Sequence, residues 1–290
     1  RSGDLQVRAV TVTDVLQPAG AATGPSAART IAWSTTYSGI FAPESEDYRL
    51  EGLAARQWWS ALTPTSGDWV YYNRSVASRN LPCLQADGAS VPLSVPINIW
   101  SMQCLLTESS VESLPLRATV KLDASGQGPR ANVLIENLSQ QRVKSGHLLV
   151  GLAGPGGRAE KFGWTEFGEI PAGGQVEFER ALRVANDRRT VAPGTRLEGP
   201  GGGFMVHGGY AVRSLEAEGV YGTSDASFGA LGTAPRTAGI EAMLRAGAAV
   251  VFAEYDCPTG PFSVRGHKSA HECTELVRLV VAPDVTNAQE

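Results

Sequence analysis

His267 and His271 stand four residues apart with Cys257 and Cys273 to either side, in the pattern C-x9-H-x3-H-x-C. Zinc takes four nitrogen or sulfur ligands, and histidines at i and i+4 can share one ion where the segment is helical. The spacing is not that of a recognised zinc finger, and a disulfide would remove both thiolates. The expectation is therefore a Cys257–Cys273 bond beside two solvated loop histidines, with no metal and no cofactor. A metal-binding domain or metal-dependent enzyme built on His267 and His271 is the competing reading.

Cys83 and Cys104 are the other two cysteines. Four cysteines allow three pairings, and the sequence leaves the connectivity open. Ala248–Tyr255 and Thr274–Val281 read as strands, which places Cys257 and Cys273 just inside the loop joining them. A hairpin base brings two Cα atoms close enough for a disulfide. Closing such a loop contributes roughly 3 kcal/mol in chain-entropy terms. Two sequence-local pairs imply an oxidising compartment: secretion, periplasm or cell surface.

Aromatic residues give a second set of candidates. Five of the 6 tryptophans (Trp33, Trp58, Trp59, Trp69 and Trp100) fall in the first 100 residues. Trp58, Trp59, Trp69, Tyr71 and Tyr72 are the speculative ligand-binding group, because flat rings on a β-sheet can stack on sugars or anchor a partner. Filling a core or sealing an interface is the plainer role for them. If Trp58-Trp59 lies in a strand, one ring must point away from the face on which the other packs.

Other motifs carry less. Gly151-Leu152-Ala153-Gly154-Pro155-Gly156-Gly157 lacks the Gly-Lys-Ser/Thr ending of a phosphate loop and follows a strand without opening a helix, so it reads as a hairpin. No G-x-S-x-G elbow occurs. Glu166, Glu169, Glu177 and Glu179 form no convincing acid/base pair, and Glu177 and Glu179 share the solvated side of one strand. Asn73-Arg74-Ser75 and Asn137-Leu138-Ser139 are glycosylation sequons, meaningful only in a eukaryotic secretory host.

The elements that must position these residues are strands. Leu116, Ala118, Val120 and Leu122 alternate with polar residues, and so do Ala131, Val133 and Ile135 after Ser125-Gly126-Gln127-Gly128-Pro129. Leu148, Val150 and Leu152 repeat the period, and Val176, Phe178, Leu182 and Val184 close the set after Pro171-Ala172-Gly173-Gly174. Short alternating strands parted by Gly, Pro and Asn turns predict an antiparallel Ig-like sandwich over 111–185. Residues 1–110 form a further β-rich region with strands at Asp4–Val12, Ile31–Phe41 and Tyr48–Leu53, bounded by the polar Thr107–Pro115. Residues 186–290 hold a linker, short helices at Ala211–Glu218 and Ala238–Ala246 ended by Gly247, and the hairpin, which can pack onto the first region. The fold class is mainly β, with one or two short helices in the C-terminal third.

Composition sets the outer limits. A chain of 290 residues with 42% apolar and 19% charged residues is globular, and 33 Gly with 17 Pro supply many turns. At net charge −4 with acids and bases interspersed, it offers no basic stripe for nucleic acid. Heavy use of Ala, Gly and Arg fits a high-GC bacterial genome. No apolar run approaches the ~20 residues that span a bilayer, and no signal-peptide core is present. The expectation is that a signal and a membrane anchor are absent from this chain because processing or design removed them.

Thr35-Thr36-Tyr37-Ser38-Gly39-Ile40-Phe41-Ala42-Pro43, followed by Tyr48 and later by Asn98-Ile99-Trp100-Ser101, resembles the C-terminal extracytoplasmic region of large, uncharacterised bacterial membrane-anchored proteins. In that group an Ig-like module follows, with an "xNxS/T" strand end and a "GxIPAG" turn. Ile135-Glu136-Asn137-Leu138-Ser139 and Gly168-Glu169-Ile170-Pro171-Ala172-Gly173 are similar to these. The closing helix and two-stranded finish of the group are similar to Ala238–Val281. The resemblance implies a location and an architecture, and no catalytic residue.

Together these readings predict a non-enzymatic extracytoplasmic interaction or scaffold domain, or an accessory subunit of a membrane-associated assembly, with protein partners in the cell envelope. A glycan-binding sandwich module is the alternative.

Overall fold

The computed structural model describes residues 5–17, 30–51, 57–62, 83–86, 89–92, 94–97, 102–111, 113–123, 128–153, 159–185, 243–257 and 260–286. The first region supplies β1 (Leu5–Gln17), β2 (Ile31–Phe41), β3 (Glu46–Tyr48), β4 (Leu50–Glu51) and β5 (Gln57–Leu62). It also supplies β6 (Cys83–Ala86), β7 (Ala89–Pro92), β8 (Val95–Ile97) and β9 (Met102–Ser110). The middle gives β10 (Leu116–Asp123), β11 (Arg130–Asn137), β12 (Val143–Ala153), β13 (Ala159–Phe167), β14 (Gln175–Ala181) and β15 (Arg183–Ala185). The last region adds β16 (Ala249–Tyr255), β17 (Ser263–Val264), β18 (Ser269–Val281) and β19 (Asp284–Thr286).

Eleven of these strands form one sheet in the order β15-β13-β12-β16-β18-β1-β2-β9-β5-β7-β6. At its centre β1 runs parallel to β18 with Leu5 level with Ser269 and Gln17 level with Val281. Three small sheets accompany it: β14-β11-β10-β19, β17-β4 and β3-β8. The fold is mainly β, in several sheets, and the strands expected to build an Ig-like sandwich over 111–185 divide between two of them. β10, β11 and β14 join β19, whereas β12, β13 and β15 join the large sheet. The reason lies in β16, whose residues are buried on both faces apart from the half-buried Glu254. A strand apolar on both faces needs neighbours on both edges, and β12 and β18 provide them.

Two cores cover one face of the large sheet. In the first, Val15, Leu148, Val150, Val251, Val277 and Leu279 pack against Leu116, Val120, Val133 and Ile135 of the four-stranded sheet. In the second, Leu5, Val7, Ile40 and Leu105 pack against Tyr48, Leu50, Val95, Ile97, Phe262 and Val264 from the two ribbons. The alternation read from the sequence is the physical cause: β10 is buried at every other residue, and so is the matching face of β11. The reverse face of the large sheet holds a third cluster, in which Leu149, Phe162, Trp164, Val250 and Phe252 gather under Leu244.

Leu244 belongs to a single helical turn, Met243–Arg245. Gly247 ends it with φ of 87°, where its N–H donates to the Leu244 carbonyl at 2.9 Å. A left-handed glycine at a helix end is the expected device. The turn sits tightly on β12, since a Cβ on Gly151 would overlap the Leu244 carbonyl. The other expected helix, Ala211–Glu218, lies outside the described residues. Thr107–Ser110, expected in a boundary segment, continues β9, with Thr107 buried. No helix among the described residues is long and apolar enough to cross a membrane.

Candidate functional site

The pairing of β16 with β18 ends with Tyr255 opposite Glu275, and two residues beyond it the side chains of Cys257 and Cys273 meet. The Cys273 S–H donates to the Cys257 sulfur. This contact holds the Cys257 thiol below its ordinary range, and together with burial it pushes Cys273 well up. Both cysteines are half-buried thiols. Next to them, burial raises the Glu275 carboxyl, against a hydrogen bond from Gln141.

The histidines do not share a helix face. His267 sits in the turn after β17, where its Nε2 lies 2.8 Å from Glu46 Oε1 and its ring centre 5.0 Å from that of Tyr48. His271 lies on β18, hydrogen-bonded to Ser269 Oγ at 2.7 Å with its ring against Gly260. Strand geometry and these separate partners replace the i, i+4 arrangement. Among the described residues no three His, Cys, Asp or Glu converge on one point.

Cys83 and Cys104 are not neighbours. β7 and β5 lie between their strands, which is roughly 14 Å of sheet at ~4.8 Å per strand. A disulfide needs Cα atoms within about 7 Å, so the short sequence separation of this pair misleads. Trp58 and Trp59 lie on β5 in register with Glu108 and Thr107 of β9. Trp69, Tyr71 and Tyr72 lie outside the described residues.

Asn137 is a structural lock. It is buried at the end of β11, and its Nδ2 donates to the carbonyls of Gln141 at 2.7 Å and Pro171 at 2.9 Å. Its Oδ1 accepts from the Ser139 hydroxyl at 2.8 Å and the Ser139 N–H at 3.1 Å. Gly173 N–H donates to Ser139 O, and Asn137 N–H to Gly174 O. Gly173 has φ of 65°, the left-handed conformation that glycine adopts freely. The Asn-x-Ser strand end and the Ile-Pro-Ala-Gly turn are therefore two halves of one hydrogen-bonded knot.

A polar recess lies at the corner where β14 leaves the small sheet and β15 joins the large one. Leu182 makes the crossing: it is buried in the first core and packs so closely on Gly163 that a Cβ there would collide. The flanking Ala181 and Arg183 stay outside. Arg130, Thr165, Glu166, Glu179, Arg180, Ala181 and Arg183 line a cavity of about 430 Å³.

The three guanidiniums of this corner are held differently. Arg130 Nε is paired with Glu179 Oε1 at 3.0 Å. Arg180 lies 5.2 Å from the Phe178 ring centre and donates from Nη1 to the Glu166 main-chain carbonyl at 2.6 Å. Arg183 lies 4.8 Å over the Trp164 ring. Ring faces and a carbonyl fix Arg180 and Arg183 without cancelling their charge by a carboxylate. Behind the rim, the imidazole of His147 is opposite Glu166, and burial holds its pKa below the ordinary value against the pull of that carboxylate.

Sequence reasoning missed this corner. Its one local signal is Glu179-Arg180-Ala181-Leu182-Arg183, where Ala181 and Leu182 sit between two arginines at the end of a strand. Arg130 enters only through strand pairing, opposite Ala181.

No protein-family model matches the chain, and no curated protein matches it. Solved structures do. The Fcho1 Mu homology domain of Danio rerio with bound Eps15 peptide aligns over 96% of each chain with a TM-score of 0.44 and 8% identity. The yeast delta-COP-I mu-homology domain, solved alone and with a Dsl1 WxWxV peptide, aligns over 99% of each chain with a TM-score of 0.40 and 8% identity. The chain is thus similar, at very low sequence identity, to mu-homology domains.

Proposed function

We propose that this chain is a non-enzymatic protein-interaction domain that works outside the cytoplasm in a membrane-associated assembly, and that its arginine corner receives an acidic peptide segment. The observation that carries the binding reading is the treatment of Arg180 and Arg183. Both are pinned by aromatic faces, at 5.2 Å and 4.8 Å, and no carboxylate among the described residues is paired with either. A guanidinium fixed in this way has lost its rotamer freedom and still offers a planar fork of donors that matches a carboxylate. The recess is large enough for two or three side chains of an extended segment. The use of the other reactive groups agrees with a binding role, since His267 is engaged by Glu46 and Cys273 by Cys257.

The compartment is supported by Cys257 and Cys273 facing each other at the base of a hairpin, the arrangement that an oxidising environment converts to a bond. A scaffold or accessory role in a membrane assembly follows from the resemblance of the strand and turn motifs.

Calorimetric titration with an Asp/Glu-rich peptide and a Lys-rich control of equal length tests the binding reading. The acidic peptide should bind, the control should not, and raising salt from 50 to about 200 mM should weaken the affinity severalfold. Arg183→Glu should abolish binding while the thermal midpoint stays near that of the parent. Equal binding of both peptides, or full binding by Arg183→Glu, would falsify the assignment.

A further inference from the structure

We propose that Cys257 and Cys273 form a modification site: a disulfide-bearing oxidant of the glutathione or dithiol-carrier class joins them, and the bond clips the intervening segment onto the second core. Geometry is the basis. The β16–β18 ladder ends at Tyr255 and Glu275, the side chains of Cys257 and Cys273 are in contact just beyond it, and residues facing each other at the end of an antiparallel pair lie within the Cα separation that a disulfide spans. The thiols already touch and both are partly exposed, so an oxidant can reach them.

The location gives the bond its effect. Cys273 is level with Ala9 of β1, between Val7 of the second core and Val15 of the first. The chain between the two cysteines carries Phe262 and Val264, which form one wall of the second core. It also carries β17, paired with β4, and the Arg265 N–H bonded to Arg49 O at 2.8 Å. His267 completes the seal against Glu46 and Tyr48. A two-residue ribbon holds poorly by itself, so a covalent closure at the base of this excursion restricts its opening.

The chemistry balances. Cys257, which accepts the hydrogen bond from Cys273 and is the better thiolate, attacks one sulfur of the oxidant and expels the other as a thiolate. Cys273 then gives up its proton and attacks the Cys257 sulfur of the mixed disulfide, releasing the second thiol. Two protons and two electrons pass to the oxidant, whose disulfide becomes two thiols. This clip does not depend on what occupies the arginine corner.

The test uses the full chain in glutathione buffers of graded ratio. Alkylation of the native protein followed by peptide mass mapping should find Cys257 linked to Cys273 and two hydrogens lost. Amide exchange of Phe262–His267 should slow by about tenfold or more in the oxidised protein relative to the same protein reduced. Comparing two redox states of one sequence needs no variant to fold. Cys257→Ser, with Cys257→Ala as a second choice, should remove the redox dependence of exchange. Thiols that stay open to alkylation at the most oxidising ratio would overturn the proposal. So would a bond to Cys83 or Cys104 in place of this one, or a correct bond that leaves exchange across Phe262–His267 unchanged.

Discussion

The two cores on the shared face of the large sheet are built from unequal material. The first sets residues of long strands, Val15, Leu148, Val251 and Leu279 among them, against β10 and β11, which pair without interruption from Leu116–Asn137 to Asp123–Arg130. The second is roofed by ribbons whose paired stretches are two and three residues long. Long strands gain burial and ladder hydrogen bonds together, whereas a two-residue ribbon has too little of either to be stable alone. The second roof relies instead on single polar ties, such as Tyr48 Oη to Glu44 O at 2.8 Å and His267 to Glu46. One sheet can therefore be a rigid base under one roof and carry a more easily opened roof beside it.

The largest expected effect lies at the strand pair that serves both cores. Asp14 of β1 and Arg278 of β18 are level with each other and form a buried bidentate pair, with both contacts at 2.6 Å. Asp14→Ala leaves a buried guanidinium uncompensated and should cost about 3–5 kcal/mol in urea unfolding. Asp14→Leu combined with Arg278→Met should recover most of that loss. A cost well under 1 kcal/mol would mean that the charges find water in the folded protein.

The comparison sharpens with one truncation in each core. Leu148→Ala, fully buried in the first, should cost about 2–5 kcal/mol and shift the global urea midpoint. Phe262→Ala in the second should speed amide exchange in β17 and β4 far more than it moves that midpoint. Equal shifts of the midpoint would show that the two roofs open as one unit.

Asn137→Ala tests whether the turn lock belongs to the stronger core. It leaves the carbonyls of Gln141 and Pro171 without this donor, and a buried unsatisfied group costs about 1–3 kcal/mol. A global loss of about 2–3 kcal/mol is expected by chemical denaturation, and a loss confined to local exchange at 168–174 would contradict it.

The smallest effect is a pH dependence at His147 on β12. Burial depresses the folded-state pKa of His147, so the unfolded chain binds the proton more readily. Stability from this residue is complete above the unfolded value near 6.5 and declines as pH falls below it. The thermal midpoint should drop between about pH 7 and 5, and His147→Leu should flatten that slope. A slope unchanged in the variant would assign the titration to another group.

Much of this architecture is legible in the residue order, and the parts that are not share a cause. The extended stretch Ile31–Phe41 is β2 as read from the sequence, and the closing hairpin is readable from its two apolar runs. The alternation of Leu5, Val7 and Ala9 with Gln6 and Arg8 predicts a first strand over Asp4–Val12. It runs on to Gln17, since the partner that neutralises Asp14 is Arg278, 264 residues away. The same limit hides the arginine corner, where Arg130 and Arg180 sit on strands joined only by pairing. It also makes Cys83 and Cys104 look like partners when two strands divide them. Asn137 shows the converse: its sequon is plain in the sequence, but its role depends on the turn at Pro171. Local periodicity reports on burial, and chemistry that needs two distant segments leaves no local trace.

The parallel seam of β1 and β18 has a kinetic consequence. The middle of the largest sheet joins residues 5–17 to residues 269–281, so its central pairing has nearly the greatest loop to close that the chain allows. Folding slows as such long-range contacts come to dominate. During synthesis from the N-terminus, β1 must wait for almost the whole of the remaining chain before its parallel neighbour exists. Until then the edge that will face β18 is open to pairing with another chain. β2 can secure one edge of β1 early, but the other edge waits for β18, and this protein should depend most on assisted folding in the interval before residues 269–281 emerge.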